Sequence, residues 1–342
     1  MTRKKEITIY DIAKALNISA STVSRGLRNH ESIRKDTRKK ILTTARELGY
    51  QHNTFASSLR KKRTHTIGLI LPRLDSYFMS TVISGIEKVA KQQSYNLIIS
   101  QSEETMEKEI SCISTMYNSR VDGLLFSMAD NTVNLDHLEM FFNKGIPVVF
   151  FDRVFEHPDY ISIVIDNFKA GYEITSHLIV QGCKRIVHLG GNLICNVYRD
   201  RYNGYKKALK EHGVLFDPEL VSTGPMNEAA GHDVVERMIR MDELPDGIFA
   251  ANDTSAVASV CRLKKEGIRV PEDVCVAGFN NVPITRVIDP NLTTVHYPGQ
   301  EMGEVAASTL INKLDNSNSS NPDTIVLKHE LIVRLSSARN KR

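Results

Sequence analysis

The sequence predicts a small all-α helix-turn-helix headpiece joined to an α/β core of two parallel-sheet subdomains. Apolar residues in Ile7 to Leu27, ITIYDIAKALNISASTVSRGL, recur at helical spacing on either side of a short break. From Thr66 the period changes. TIGLIL, YNLIIS, DGLLFS and IPVVFFD are short apolar runs separated by helical stretches, and SIVID, KRIVHLGG, DGIFAAND and EDVCVAGFNN repeat that rhythm. Such alternation reads as parallel strands covered on both faces. Charge divides the chain in the same place. Residues 1–66 hold 16 Lys plus Arg against 5 Asp plus Glu, an excess of +11, while the remainder has 28 against 35, or −7. The basic end suits a polyanion.

In the headpiece, Ile9, Ile12, Ala13 and Leu16 make one apolar stripe, and Asn17 and Ile18 break the run. Ser19 is placed to cap a second helix, Ala20 to about Leu27, whose Val23 and Leu27 lie i,i+4 and can pack against the first. Ala20, Ser21, Thr22, Ser24 and Arg25 are then left outward, at the end of the helix that enters the major groove in this motif. Hydroxyls can bond phosphate or base edges, and an arginine one turn in can grip guanine O6 and N7. A third helix is predicted from about Lys35 to Leu48, with Ile41, Ala45 and Leu48 buried, Asp36 favouring its dipole and Gly49 as its stop. The linker that follows carries Arg60, Lys61, Lys62 and Arg63, which suit phosphate neutralisation as well as plain solvation.

The two strand series imply two similar α/β subdomains with a ligand cleft at the carboxyl ends of the strands. No run of 18 apolar residues exists and MTRKKEIT lacks the apolar core of a signal peptide, so a cytoplasmic protein with no membrane partner is expected. The cysteines Cys112, Cys183, Cys195, Cys261 and Cys275 form no C-x-x-C pair, and neither a disulfide framework nor a metal site is indicated. No nucleophile elbow, P-loop, zinc-helix or dinucleotide fingerprint occurs, so no catalytic residue and no cofactor are expected.

The run T-I-Y-D-I-A-K-A-L-N-I-S-A-S-T-V-S-R resembles, nearly position by position, the headpiece of the lactose repressor family of bacterial transcription regulators, and the resemblance continues over almost the whole chain. It implies DNA contacts from Thr8, Tyr10, Ser19, Ala20, Ser21, Thr22, Ser24 and Arg25. It further implies a hinge helix beginning at Asn53 and including Ala56, with Leu59 wedged into the minor groove and Arg60 beside it. This sequence departs from the family at Arg34, where a serine usually caps the third helix, at His52 for the usual proline, and at Ser57 for the usual arginine. The core is expected to resemble periplasmic sugar-binding proteins, with the chain crossing between lobes three times. That gives a headpiece at 1–50, a hinge and linker at 51–65, one lobe from 66–161 with 292–322, and the other from 162–291 with 323–342.

The same resemblance carries effector-binding residues over one at a time. Asp75, Tyr77 and Phe78 follow the first strand; the aromatic pair would stack on a ligand ring, while Phe78 reads equally as a core-facing start of the next helix. Asp152 and Arg153 end VVFFDR and would together bond vicinal hydroxyls. Arg201 matches the arginine most often found on the effector. Of Asn252 and Asp253 one would face ligand and the other cap a helix, with Asp253 the expected cap. Asn280 stands where the family commonly has an acid, and Tyr297 where it often has glutamine. With Arg153 and Arg201 kept and one acid lost, an acidic or phosphorylated sugar is expected.

The reading is therefore a sequence-specific repressor on a pseudo-palindromic operator, under allosteric control by a sugar or sugar derivative. After LIVRLSS no heptads follow, so a homodimer rather than a tetramer is expected. A transport-linked sugar binder is disfavoured by residues 1–60, and an α/β enzyme by the missing catalytic set.

Overall fold

The computed structural model describes residues 7–50, 63–155, 157–158, 160–315 and 324–339. It divides into two compact units, Met1–Thr64 and His65–Arg342.

In the first unit, α1 (Ile9–Leu16) starts at Thr8, whose backbone N–H and hydroxyl both donate to Asp11 Oδ2 at 2.8 and 2.7 Å. Asn17 ends it in the left-handed region, at φ 52°, a conformation asparagine tolerates better than most residues. Ser19 Oγ then accepts the Thr22 N–H at 3.1 Å and opens α2 (Ala20–Leu27). Ile12, Val23 and Ile41 are fully buried where these helices meet α3 (Lys35–Glu47). As the sequence implies, Arg34 gives α3 no side-chain cap. Leu48, expected in the core, is instead 38% exposed. The reason is the left-handed Gly49, at φ 73°, which turns the chain back so that the Tyr50 N–H reaches Ala45 O at 2.8 Å and Tyr50 packs on the core in its place.

In the second unit, the strands β1 (Thr66–Leu71), β2 (Asn96–Gln101), β3 (Gly123–Phe126), β4 (Val148–Phe151) and β5 (Ile161–Ile165) are followed by β6 (Ile186–Gly190), β7 (Val221–Thr223) and β8 (Gly247–Ala250). Then come β9 (Cys275–Asn280), β10 (Thr293–His296), β11 (Thr324–Leu327) and β12 (Glu330–Ile332). One sheet has the order β11-β5-β4-β3-β1-β2 and the other β12-β10-β9-β8-β6-β7, all parallel except β10 with β12. The two sheets are the two subdomains expected, but three strands change sides. β5, expected to open the second lobe, pairs with β4 in the first; β10, expected in the first lobe, pairs with β9 in the second; and β11, expected in the second, pairs with β5. A strand buried on both faces reads the same in either sheet, so the sequence shows the strand and not its neighbour. The lobes are accordingly 65–165 with 298–327, and 166–297 with 328–339.

Each lobe brings two helices into backbone contact over glycine. In the first, α4 (Tyr77–Gln92) meets the later helix Gly299–Asp315: a Cβ on Gly85 would fall 2.2 Å from Gln300 O and one on Gly303 2.1 Å from Val82 O. Met302, Ala306 and Leu310 of that helix, at helical spacing, face the core. In the second lobe, Asn167–Val180 and Asn196–Glu211 meet at Gly171 and Gly204, where an added Cβ would strike Arg201 O at 2.4 Å and Phe168 O at 2.2 Å. The obstacle is backbone in all four cases and cannot rotate away. Gly303→Ala should therefore destabilise the core by about 1–3 kcal/mol, as overpacked interiors do, and lower its melting midpoint by several degrees. Gly224→Ala, where a Cβ would meet nothing within 4 Å, should leave the melt unchanged.

Candidate functional site

On the headpiece, Thr8, Tyr10, Ser21 and Arg25 are exposed, Tyr10 to 71%. Ser19 Oγ lies 2.8 Å from both Ser21 Oγ and Thr22 Oγ1, so the three hydroxyls form one cluster at the start of α2. Thr22, Ser24 and Ala20, all expected outward, are half-buried, and Ala20 packs on the headpiece core. The helix is short and its first turn sits against α1, which leaves the outer face to Ser21 and Arg25. Asn53, Ala56, Leu59 and Arg60 lie outside the described residues.

In the second unit a cavity of about 750 Å³ opens at the carboxyl ends of the strands of both lobes. All ten residues expected to contact an effector line it: Asp75, Tyr77, Phe78, Asp152 and Arg153 from the first lobe, and Arg201, Asn252, Asp253, Asn280 and Tyr297 from the second. Their arrangement differs from the expectation in three respects.

Arg201 is almost wholly buried. Its Nε donates to Asn167 Oδ1 at 2.9 Å and its Nη1 to Ala251 O at 2.8 Å, while the guanidinium carbon stands 3.5 Å from the centroid of the Phe279 ring. Burial lowers its pKa, and these partners keep it oriented. Asn167, at the start of its helix behind the capping Asp166, thus positions the arginine. Nη2 makes no hydrogen bond among the described residues.

Asp152 and Arg153 do not act as a side-by-side pair. Asp152, buried and at φ 58°, accepts the Tyr297 hydroxyl at 2.7 Å, and burial raises its pKa. Arg153 turns instead to Glu104, through both guanidinium Nη atoms, and its Nη2 also meets the Tyr198 hydroxyl at 3.4 Å. Successive residues at a strand end point apart, so neighbours in sequence need not converge in space. Tyr297 stacks on Phe78 with centroids 4.3 Å apart, so Phe78 serves the core and lines the cavity at once. Tyr77 is half exposed at the mouth, where Asp75 pairs with Arg73 Nε at 2.8 Å and is held below its ordinary pKa by it.

The capping roles of Asn252 and Asp253 are reversed. Asn252 Oδ1 accepts the Ser255 N–H at 2.8 Å and is the helix cap, and its Nδ2 donates to Met226 O at 2.9 Å. Asp253 is the buried one: it accepts the Val282 N–H at 2.9 Å and the Thr294 hydroxyl at 2.6 Å, and burial pushes its pKa up to about 6. Asn280 sits at φ 112°, a region uncommon for any residue with a side chain.

The residues not foreseen are Glu104, Asp130, Asn192, Tyr198 and Asn227. Glu104 and Asp130 follow β2 and β3 as Asp75 follows β1, so the placing of a cleft at the carboxyl ends of the strands is the signal that points to them. Their presence corrects the expected ligand charge. Arg153 is neutralised by Glu104, and the described lining holds Asp75, Glu104, Asp130, Asp152 and Asp253 against Arg73, Arg153 and Arg201. An acidic or phosphorylated sugar would meet an excess of carboxylates. Among the described residues no group of His, Cys, Asp and Glu could hold a metal ion.

A family model described as bacterial regulatory proteins, lacI family, matches residues 8–53. One described as periplasmic binding proteins and sugar binding domain of LacI family matches residues 64–334. The HTH-type transcriptional regulator RegA of Clostridium saccharobutylicum is 33% identical, over 96% of this chain and 98% of its own. Catabolite control protein A of Priestia megaterium is 31% identical, over 96% of this chain and 99% of its own. The structure of the lac repressor dimer bound to operator and the anti-inducer ONPF has the same fold, with a TM-score of 0.85 at 22% identity, over 98% of this chain and 100% of that one.

The buried Asp253 makes a prediction of definite sign. Its folded pKa, about 6, lies above the unfolded value of about 3.9. Between those two pH values the folded state keeps a proton that the unfolded state has released, so stability falls as pH rises through this window and levels off above it. Urea midpoints measured from pH 4 to 7 should show that fall, on the order of 2 kcal/mol, and Asp253→Asn should remove it.

Proposed function

Because this chain belongs to the lacI family of bacterial regulatory proteins, it is a transcriptional regulator with a DNA-binding helix-turn-helix and an effector-binding domain, and we propose that it is a homodimeric repressor controlled by a sugar-like effector bound at Arg201 and Asp152. Arg201 carries this reading. A guanidinium held on two sides by Asn167 and Ala251, with an aromatic floor of Phe279 and one nitrogen uncommitted, is preorganised to bond a ring hydroxyl. The stacked pair of Phe78 and Tyr297 supplies an apolar face of the kind a sugar ring needs on its C–H side.

The two copies of the headpiece would present Ser21 and Arg25 to successive major grooves, with the Leu59 side chains at the centre of a pseudo-palindromic operator. Effector acts through the lobes. Among the described residues, hydrogen bonds join them beside the cleft: Asn192 Nδ2 to Asp130 O at 3.0 Å, the Val154 N–H to Asn196 Oδ1 at 3.1 Å, Asn196 Nδ2 to Asp152 O at 3.5 Å, Arg153 to the Tyr198 hydroxyl, and the Tyr297 hydroxyl to Asp152 Oδ1 at 2.7 Å. A ligand that changes the lobe angle must remake these, and needs only to bind one arrangement more tightly than the other. By linkage, operator DNA then changes effector affinity by the same factor. A regulator of this kind leaves its ligand chemically unchanged. No helix among the described residues is long and apolar enough to cross a membrane.

The two sites should be separable. Leu59→Ala should weaken operator binding by at least tenfold in a gel-shift titration at fixed salt, with effector affinity in the free protein intact. Arg201→Ala should abolish the effector response while leaving operator binding in place. Loss of both activities in both variants, with normal melting curves, would refute the assignment.

A further inference from the structure

The five carboxylates of the described lining outnumber its three guanidiniums by two. Arg73 is paired with Asp75 and Arg153 with Glu104, Asp152 lies under the Tyr297 hydroxyl within the fields of Arg153 and Arg201, and Asp253 is occupied by Val282 and Thr294. Asp130 remains. Neither carboxylate oxygen makes a hydrogen bond among the described residues; Oδ1 is shut off from solvent, so the carboxylate meets the cavity through Oδ2, and an acceptor left unmet beside a buried one costs stability unless something else supplies the donor. This is not a loose surface side chain. The turn carrying it is fixed on both flanks by the fully buried Glu109, which accepts the Ala129 N–H at 2.6 Å and the Thr132 hydroxyl at 2.9 Å with His137 Nε2 2.9 Å away. Asn131 Oδ1 accepts the Met106 N–H at 2.7 Å, and the Asp130 carbonyl takes Asn192 from the opposite lobe. A rigid turn thus holds, in the wall of a cavity of about 750 Å³, a carboxylate whose one nearby cation, Arg153, is already bonded to Glu104.

We propose that Asp130 receives the protonated amine of the effector, which is therefore an amino sugar or an oligosaccharide carrying one. The proposal rests on the reading of this cleft as a site for a sugar-like effector. A ligand hydroxyl could supply the missing hydrogen bond but not the missing positive charge, and a charge-assisted bond is roughly twice as strong as a neutral one. Because Asp130 also receives Asn192 through its carbonyl, an amine on its carboxylate would sit where the lobes meet, and filling the subsite would favour the lobe arrangement that keeps Asn192 in place.

Titration calorimetry of the full chain at neutral pH against matched pairs tests this: glucose with glucosamine, galactose with galactosamine, and cellobiose with the fully deacetylated chitosan dimer. The amino member of a binding pair should bind about tenfold tighter, equivalent to one charge-assisted contact. Asp130→Asn should bring the pair level, and Glu104→Gln, which releases Arg153 to face Asp130, should narrow the preference. A neutral member that binds as tightly as its amino partner, or a preference that survives Asp130→Asn in a normally folded variant, overturns the proposal and leaves the sugar-like reading standing. If no member of any pair binds, the sugar-like reading falls, and this inference with it.

Discussion

A buried guanidinium needs a hydrogen-bond partner for most of its nitrogens, and the second lobe is arranged around meeting that need for Arg201. Asn167 and the Ala251 carbonyl reach it from two directions, and Phe279 lies flat beneath it. Asn167 begins one helix and Arg201 is mid-way along the next, so their approach depends on how closely those helices pack. Gly171 makes it possible, since any Cβ there would strike the backbone of Arg201 itself. A packing constraint and a binding residue are in this way the same feature. The first lobe uses the equivalent device at Gly85 and Gly303, but no arginine rides on it. Symmetry of packing has been kept between the lobes while chemistry has been assigned to one.

The acids of the cleft show a second consequence of low-dielectric surroundings. Asp152, Asp130 and Asp253 all have their pKa values raised by burial, yet each is provided for differently: a tyrosine hydroxyl, only the field of an arginine bonded elsewhere, and a pair of fixed donors. The fixed donors around Asp253 belong to the framework, where that carboxyl ties the start of one helix to the loop after β9. The carboxylate of Asp130, with no such donors, belongs to the ligand side.

Most of the secondary structure was legible in the sequence because period and capping are local. Ser19 caps the second helix where its hydroxyl implies, and every apolar run quoted from the core became a strand. Three things were not legible. The sheet to which β5, β10 and β11 belong depends on which strand each lies beside, for β11 a partner more than a hundred residues earlier, and a doubly buried strand carries no mark of its neighbour. The choice of cap between Asn252 and Asp253 depended on whether Thr294, some forty residues on, would offer its hydroxyl. The sign of charge in the cleft turned on Glu104 reaching Arg153, a contact between turns after different strands. In the last two cases the deciding partner is distant in sequence and polar, and in all three hydrophobic periodicity is silent about it.

The three crossings between lobes have a consequence for the order in which the chain can be made. The headpiece has all its residues once about Tyr50 has been synthesised, and can fold as a local unit. Neither lobe has that property. The first lacks a sheet edge and a packing helix until β11 and the helix Gly299–Asp315 arrive, and the second lacks the antiparallel edge supplied by β12. During translation the polyanion-seeking end is therefore finished long before the part that would restrain it, and both halves of the core are sealed together by the same late stretch, 324–332.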